Sequence, residues 1–330
     1  MENFKNIVGI DLSKKTIDLF YHPQNQHQCF SNDETGFKEM VKSFRALKID
    51  FSQVLIVMEH TGLYSYCLEC FLHQYQIKFA KVNALEIKLS MGLTRGKSDK
   101  IDAKRIALYG FEKQSKLRIQ KLADKAIQRL ELLQTARQQL VKQKAATLNV
   151  MKEYANIGLV KSDAIMQAQT KVLKTLETQI TKLETEMQKI IQADKALKSN
   201  IDLLQSITGV GKVLSLATII KTHNFTKFTN GRKFACYCGV APFEHTSGTS
   251  IKGKTRVSHL ADKRMKTLLD LAAKSAIQYD KELKEFYLKR VADGKSKMST
   301  INIVRNKIIH RMFAVIKRQT IYIENYLQAA

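Results

Sequence analysis

An α/β domain, then a helical arm, then a mainly helical basic unit is the architecture this sequence predicts, and three observations carry it. Short β-type runs at 6–12 and 16–21 open the chain and are followed by alternating helical and strand-like segments. Residues 112–156 contain neither glycine nor proline. Between Leu173 and Ile190 apolar residues recur at alternating steps of three and four. The corresponding divisions fall at 1–111, 112–200 and 201–330.

The first unit reads as a mixed sheet with helices on its faces. "NIVGIDL" (6–12) and "TIDLFY" (16–21), separated by "SKK", form a hairpin, and a third strand lies near Cys29 and Phe30. Residues 35–47 are helical in pattern, "QVLIVME" (53–59) is a continuous apolar run of buried-strand type, 63–74 is a helix and "IKFAKV" (77–82) a further strand. Helical segments continue through Tyr109. The arm is read as one long helix from Glu112 to Asn156, a break at "NIGLVKSD" (156–163), and a second helix. In that second helix Leu173, Leu176, Ile180, Leu183, Met187 and Ile190 make a heptad seam. Such a pair of helices forms an exposed antiparallel coiled coil that also pairs chains. The last unit opens on "LLQSITGVGKVLSLATII" (203–220), a helix-hairpin-helix pattern whose glycines allow backbone N–H groups to approach a phosphate, with Lys212 beside them.

Charge points to the partner. The 330 residues carry a net +25, distributed as +3 over 1–110, +8 over 111–200 and +14 over 201–330, which is the signature of a polyanion-binding protein with its field in the second and last parts. No stretch has the apolar length of a membrane span, and the first residues lack the layout of an export signal, so a cytoplasmic protein is expected. Five cysteines, at 29, 67, 70, 236 and 238, are few and odd in number and are expected to be reduced. A four-thiolate zinc site from the two close pairs is disfavoured, since the first pair lies in a helical pattern and the second in an apolar run.

Against this positive background the acids stand out. Asp11 ends one apolar strand run and Glu59 another, which places both at the carboxyl edge of a sheet. Asp99 and Asp102, three residues apart, share one helix face among Arg95, Lys97, Lys100, Lys104 and Arg105. Taken singly, such acids are strand-end turn residues, as Asp18, Asp33 and Glu69 are expected to be. Should the helix of Asp99 and Asp102 cross the same sheet edge, four carboxylates meet, and Mg²⁺ is the natural counter-ion for hard oxygen donors. Two such ions about 4 Å apart clamp the attacking and leaving oxygens of a phosphodiester. Tyr64 and Phe243, beside these motifs, are candidates for stacking on bases, while His60 and His245 lack metal-ligand spacing and are read as structural.

Asp11, Glu59 in "EHTGLY", and Asp99 with Asp102 in "GKSDKIDAKRIA" resemble the four acids of the Holliday-junction-resolvase-like, ribonuclease-H-fold domain of DEDD insertion-sequence transposases, the family often called one-ten. "GVAPFEHTSGTS" (239–250), followed by "KGKTRVSHLADKRMKTLL" (252–269), resembles the element that characterises the second half of that family, the transposase domain beyond a coiled coil. The resemblance spans essentially the whole chain in the expected order. Two positions depart from it: Ala261 stands where glycine is usual, and Lys266 where arginine is common.

The resemblance implies a recombinase that excises and inserts its element with a structured bridge RNA pairing to donor and target DNA, the protein reading the duplex through backbone and shape. It implies that Asp11, Glu59, Asp99 and Asp102 bind Mg²⁺, and that a serine of the last domain, Ser247 here with Ser250 as the alternative, attacks the phosphodiester to form a phosphoserine link served by the acids of a partner chain. A homodimer or homotetramer is then expected. Arg95, Lys97, Lys254, Arg256, Lys263 and Arg264 are the candidates for backbone contacts, beside Lys212. Two rival readings remain: a Mg²⁺-dependent junction-resolving nuclease that cuts by hydrolysis, and a non-catalytic nucleic-acid scaffold.

Overall fold

A computed structural model describes residues 4–92, 96, 98–247 and 251–323, with 245–247, 251, 252 and 254 described by their backbone alone. The chain packs as two compact units, 1–122 and 123–330.

The first unit is a five-stranded mixed sheet. Strands β1 (Asn6–Leu12), β2 (Thr16–His22), β3 (Gln26–Ser31), β4 (Val54–Glu59) and β5 (Lys78–Val82) lie in the order β3-β2-β1-β4-β5. The first three pair antiparallel, while β4 and β5 run parallel to β1. Because side chains alternate across a strand, the sheet sorts its apolar residues into two layers. Val8, Ile10, Leu19, Tyr21, Ile56 and Met58 face helices α1 (Glu34–Ala46) and α2 (Tyr66–Gln74), meeting Phe37, Met40, Val41 and Phe44 of α1 at helical spacing. Asp33 starts α1, its carboxylate accepting from the Gly36 N–H at 2.9 Å.

On the other face Ile7, Leu55 and Val57 meet Ile87 of α3 (Ala84–Ser90) and Ile106 and Tyr109 of α4 (Asp99–Lys113). Helix α4 lies on β1 with almost no spacing. A Cβ added at Gly9 would stand 2.3 Å from both the Ala103 carbonyl oxygen and the Ala107 nitrogen. Only glycine permits this approach. Gly9→Val is therefore expected to destabilise the first unit by about 3 kcal/mol, the upper range for overpacking, and to lower its melting temperature by about 10 °C. Circular dichroism melts of the variant and its parent check this.

The second unit is mainly helical: α5 (Lys125–Asn156), α6 (Ala164–Ala193), α7 (Lys195–Gln205), α8 (Lys212–Thr222), α9 (Gly231–Tyr237), strands β6 (Pro242–Ser247) and β7 (Ile251–Val257), then α10 (Lys263–Tyr279), α11 (Lys281–Ala292) and α12 (Lys297–Arg318). Helices α5 and α6 are antiparallel, since Arg137 pairs with Glu184 at 2.6 Å and Lys144, further along α5, with Glu177 at 2.8 Å, earlier on α6. The heptad positions of α6 are buried or half-buried, Ile180 and Met187 most deeply. At the base of the arm Ile127, Leu130, Met187 and Ile191 belong to the same core as α7, α8, α10 and α12. Gly209, at φ +90°, turns the chain between α7 and α8 where a Cβ would stand 2.5 Å from the Ala272 carbonyl oxygen.

One reading of the arm needs correction. Residues 112–124 do not continue its helix: α4 ends at Lys113, a short 3₁₀ turn follows, and α5 starts only at Lys125 behind the cap Asp124. The helix formers in this segment are overridden by packing. Gln120 donates its N–H to the Phe79 carbonyl at 2.8 Å, and Leu117 and Leu122 pack on the two core layers of the first unit.

Candidate functional site

Register brings the acids of the first unit to one place. Ile10 pairs with Met58 on parallel strands, so the next positions, Asp11 and Glu59, stand side by side at the strand ends. Both follow the alternation of Ile7, Gly9 and Leu55, Val57, the face on which α4 lies. Helix α4 begins there, behind Ser98, whose hydroxyl accepts from the Ile101 N–H at 3.3 Å. Its first turn carries Asp99 and Asp102, where the positive helix end favours carboxylates. Arg105 donates to Asp102 at 2.9 Å and to the Gly96 carbonyl at 3.1 Å.

Asp99 and Asp102 lie close enough for their charges to act on Asp11. Burial holds the Asp11 carboxyl above the usual carboxylate range, and the charges of Asp102, Asp99 and Asp18 push it further the same way. Asp18 is not the strand-end turn residue read from the sequence. It sits in the middle of β2, directly across from Asp11, and is only 8% exposed. His27 Nε2 lies 2.9 Å from one of its oxygens, and the Cys29 thiol donates to the other at 3.7 Å. Two carboxylates opposite each other across a strand pair repel unless a cation or proton intervenes. Glu69 is likewise not at a strand end but in the first turn of α2, bonded to Lys81 at 2.6 Å and Ser65 at 2.5 Å. Asp33 is a helix cap.

The donor set is hard and anionic, which fits Mg²⁺. Among the described residues no group of three or more His, Cys, Asp or Glu stands at metal-holding distances. The five cysteines are free thiols. Arg95 and Lys97 lie outside the described residues, as does Ser250. Tyr64, on the segment after Glu59, is 51% exposed, and the His60 N–H donates to the Val82 carbonyl at 3.2 Å.

In the second unit β6 and β7 form a hairpin in which Ser247 pairs with Ile251 at the far end, next to residues 248–250. The backbone thus carries Ser247 out to the hairpin tip; its side chain, like those of His245 and Lys254, is outside what is described. At the base, Phe243 pairs with Arg256, and both are exposed. The hairpin returns to the core through Asp262, whose N–H donates to the Tyr237 carbonyl and whose carboxylate accepts from the Tyr237 hydroxyl, each at 2.9 Å. The same carboxylate caps α10, accepting from Arg264 N and Met265 N at 3.0 and 2.9 Å. Burial, then the Asp262 charge, drives the Tyr237 phenol far above its ordinary range. Lys263 is exposed at this helix start, whereas Arg264 is half-buried near Asp262 and Arg137. Lys212 is exposed at the start of α8 beside Gly211, where a Cβ would meet nothing. The departure at Ala261 is accommodated by Gly239, at φ +63°, since a Cβ there would stand 2.5 Å from the Ala261 methyl.

Sequence reasoning missed Asp18 and Asp262. The signal for the first lies in the hairpin register: Leu12 pairs with Ile17, four residues intervene, and one step back along each strand sets position 18 across from position 11, whereas closing "SKK" as a three-residue loop would set 17 there. The second has no such local signal, since its partner Tyr237 lies across the hairpin.

Comparison with known proteins adds an independent finding. Residues 8–156 match a family model of DEDD-type transposases, and residues 201–288 match one described as the transposase IS116/IS110/IS902 family. The pilin gene-inverting protein of Moraxella bovis is 26% identical over 327 residues, spanning 95% of this chain and 96% of that protein, and its namesake in Moraxella lacunata is similar to the same extent. A probable family 20 transposase of Pseudomonas aeruginosa is 26% identical over 157 residues, 46% of this chain and 44% of that protein.

Proposed function

The chain belongs to the IS110-type transposases, which act on DNA in transposition and recombination, and from that premise we propose that it cleaves and rejoins donor and target DNA under the direction of a bridge RNA. The first unit is assigned a ribonuclease-H-like fold, supported by three antiparallel strands continued by two parallel ones. Asp11, Glu59, Asp99 and Asp102 hold Mg²⁺, and Ser247 is the nucleophile. The observation that carries this reading is the register that sets Asp11 beside Glu59 under the first turn of α4.

When bound, Mg²⁺ stabilises charge on the reacting phosphodiester and activates an oxygen nucleophile. The residues of the chain do the rest. Ser247 at the hairpin tip presents its hydroxyl to the phosphate; a seryl-oxygen-to-phosphorus bond forms as the bond to the departing strand breaks. The number of phosphate ester bonds is unchanged, so rejoining needs no outside energy source. Lys212, Lys254, Arg256, Lys263 and Arg264, with Arg95 and Lys97, hold the backbone, as their charge and the +14 of the last 130 residues support. The acids of one copy serve the serine of another, so the working form is a homodimer or homotetramer joined through the arm.

The rival of simple hydrolysis is supported by the acids lying together in a unit with its own core. Inversion, the role printed for the Moraxella relatives, requires cut ends to be rejoined and favours the covalent route. The test is incubation of the protein with Mg²⁺, the RNA transcribed from the flanking non-coding region, and labelled donor and target DNA, followed by a denaturing gel. RNA-dependent joined products are expected. Cut ends that accumulate without joining, with or without RNA, would leave only the nuclease.

A further inference from the structure

Beside the β6–β7 hairpin lies a groove of about 750 Å³, within the range of sites that hold small ligands. Phe243, Glu244, Arg256, Tyr237, Ser258 and Leu260 line it. Phe243 is 50% and Leu260 63% exposed, large apolar surface that a chain of this charge leaves in water. Arg256 is the cross-strand neighbour of Phe243. Successive residues of an unbroken strand turn to opposite faces, yet Phe243 and Glu244 both line the groove; the register shift between Phe243 and His245 bends the hairpin at this point. Gly253, also in the lining, adds no side chain.

Each chemical feature narrows the occupant. A free phosphate would leave Phe243 and Leu260 unused, and an aliphatic ligand would leave Arg256 and Glu244 unmatched. A nucleotide uses all of them: a flat base for the apolar platform, a phosphate for the guanidinium, and an exocyclic amine for the carboxylate. An acid in a phosphate-binding region is otherwise repulsive, so Glu244 selects for an amine-bearing base. We propose that this groove takes one unpaired nucleotide, cytosine or adenine in preference to thymine, of the DNA strand that carries the phosphate attacked by Ser247. The proposal rests on the recombinase reading for the identity of that strand, because Ser247 lies four residues beyond Phe243 on the same hairpin.

The experiment measures binding of fluorescein-labelled 15-residue oligo-dC, oligo-dT and oligo-rC to the full chain by anisotropy, at several salt concentrations. The parent is expected to bind oligo-dC more tightly. Phe243→Ala should weaken both by about tenfold or more, the usual effect of removing a stacking platform, and Phe243→Trp should restore binding. Glu244→Gln should abolish the preference between the two, and Arg256→Ala should reduce the salt slope by about 0.7, one phosphate contact on a single strand. Phe243 is half in water, so its truncation leaves the core intact; Leu260→Ala provides a second variant of the platform. Binding of Phe243→Ala and Leu260→Ala within twofold of the parent would overturn the proposal. So would a loss confined to oligo-rC, which would assign the groove to RNA. Neither result touches the covalent chemistry: a Ser247→Ala protein that still cuts at the parent rate without an adduct would instead overturn the recombinase reading while the oligonucleotide data stood.

Discussion

Ser247→Ala is expected to abolish both the protein–DNA adduct and strand cleavage, while leaving the fold and nucleic-acid binding as they are. The reason is chemical. Removing a nucleophile deletes the bond that forms in the first step, and in a serine hydrolase that loss is about 10⁶-fold. Ser247 ends β6 at the hairpin tip, where it pairs with Ile251 through the backbone, which alanine retains. Cleavage is read on a denaturing gel before and after protease treatment, which trims any linked protein to a short peptide on the DNA. If cutting persists at the parent rate in the variant, the four acids act alone with water. If an adduct persists, Ser250 is the nucleophile.

Asp11→Asn is expected to give a protein that is dead yet more stable without metal. Asp11 is held above the usual carboxylate range by burial and then by Asp102, Asp99 and Asp18. For a group whose folded value is raised, its contribution to stability is full below the unfolded value and is lost as pH rises through the folded one. Above its folded value the ionised Asp11 therefore works against the fold. Relieving the pair with Asp18 alone is worth about 0.2–1 kcal/mol, and a gain of that size raises the melting temperature by up to roughly 4 °C. The same change removes a carboxylate from the Mg²⁺ site, with a loss of cleavage of at least about 10²–10³-fold, the scale set by losing one electrostatic stabiliser. Melts with and without Mg²⁺ separate the two effects. The parent should gain stability with Mg²⁺ and the variant should gain little; equal gains would place the ion elsewhere.

Much of this molecule was legible in the sequence, for identifiable reasons. The continuous apolar run 53–59 read as a buried strand because both of its faces are covered, 6–12 read as a hairpin strand, and an acid at the end of each marked the sheet edge. The arm was legible because a heptad seam needs no distant information. What failed depended on long-range contacts. Residues 112–124 have helix-forming composition, but the hydrogen bond from Gln120 to Phe79 and the partial burial of Leu117 and Leu122 against the first unit keep 117–124 out of a helix. Asp18 passed for a turn residue because its meaning comes from Asp11 across the hairpin, and from His27 and Cys29 on the next strand. The groove beside Phe243 arises from a register shift in the hairpin and from residues on three separate segments. For the basic residues, charge indicated the class of partner, but only structure separates exposed Lys212 and Lys263 from half-buried Arg264.

The covalent serine link is the centre of the account, and mass spectrometry of the adduct tests it most directly. The protein is incubated with Mg²⁺, RNA and donor DNA, the adduct is digested with nuclease and protease, and the modified peptide is fragmented. The expected result is a nucleotide phosphate on the peptide containing Ser247, absent when RNA is omitted. A nucleotide on any other residue, or cleaved DNA with no modified peptide, would contradict it.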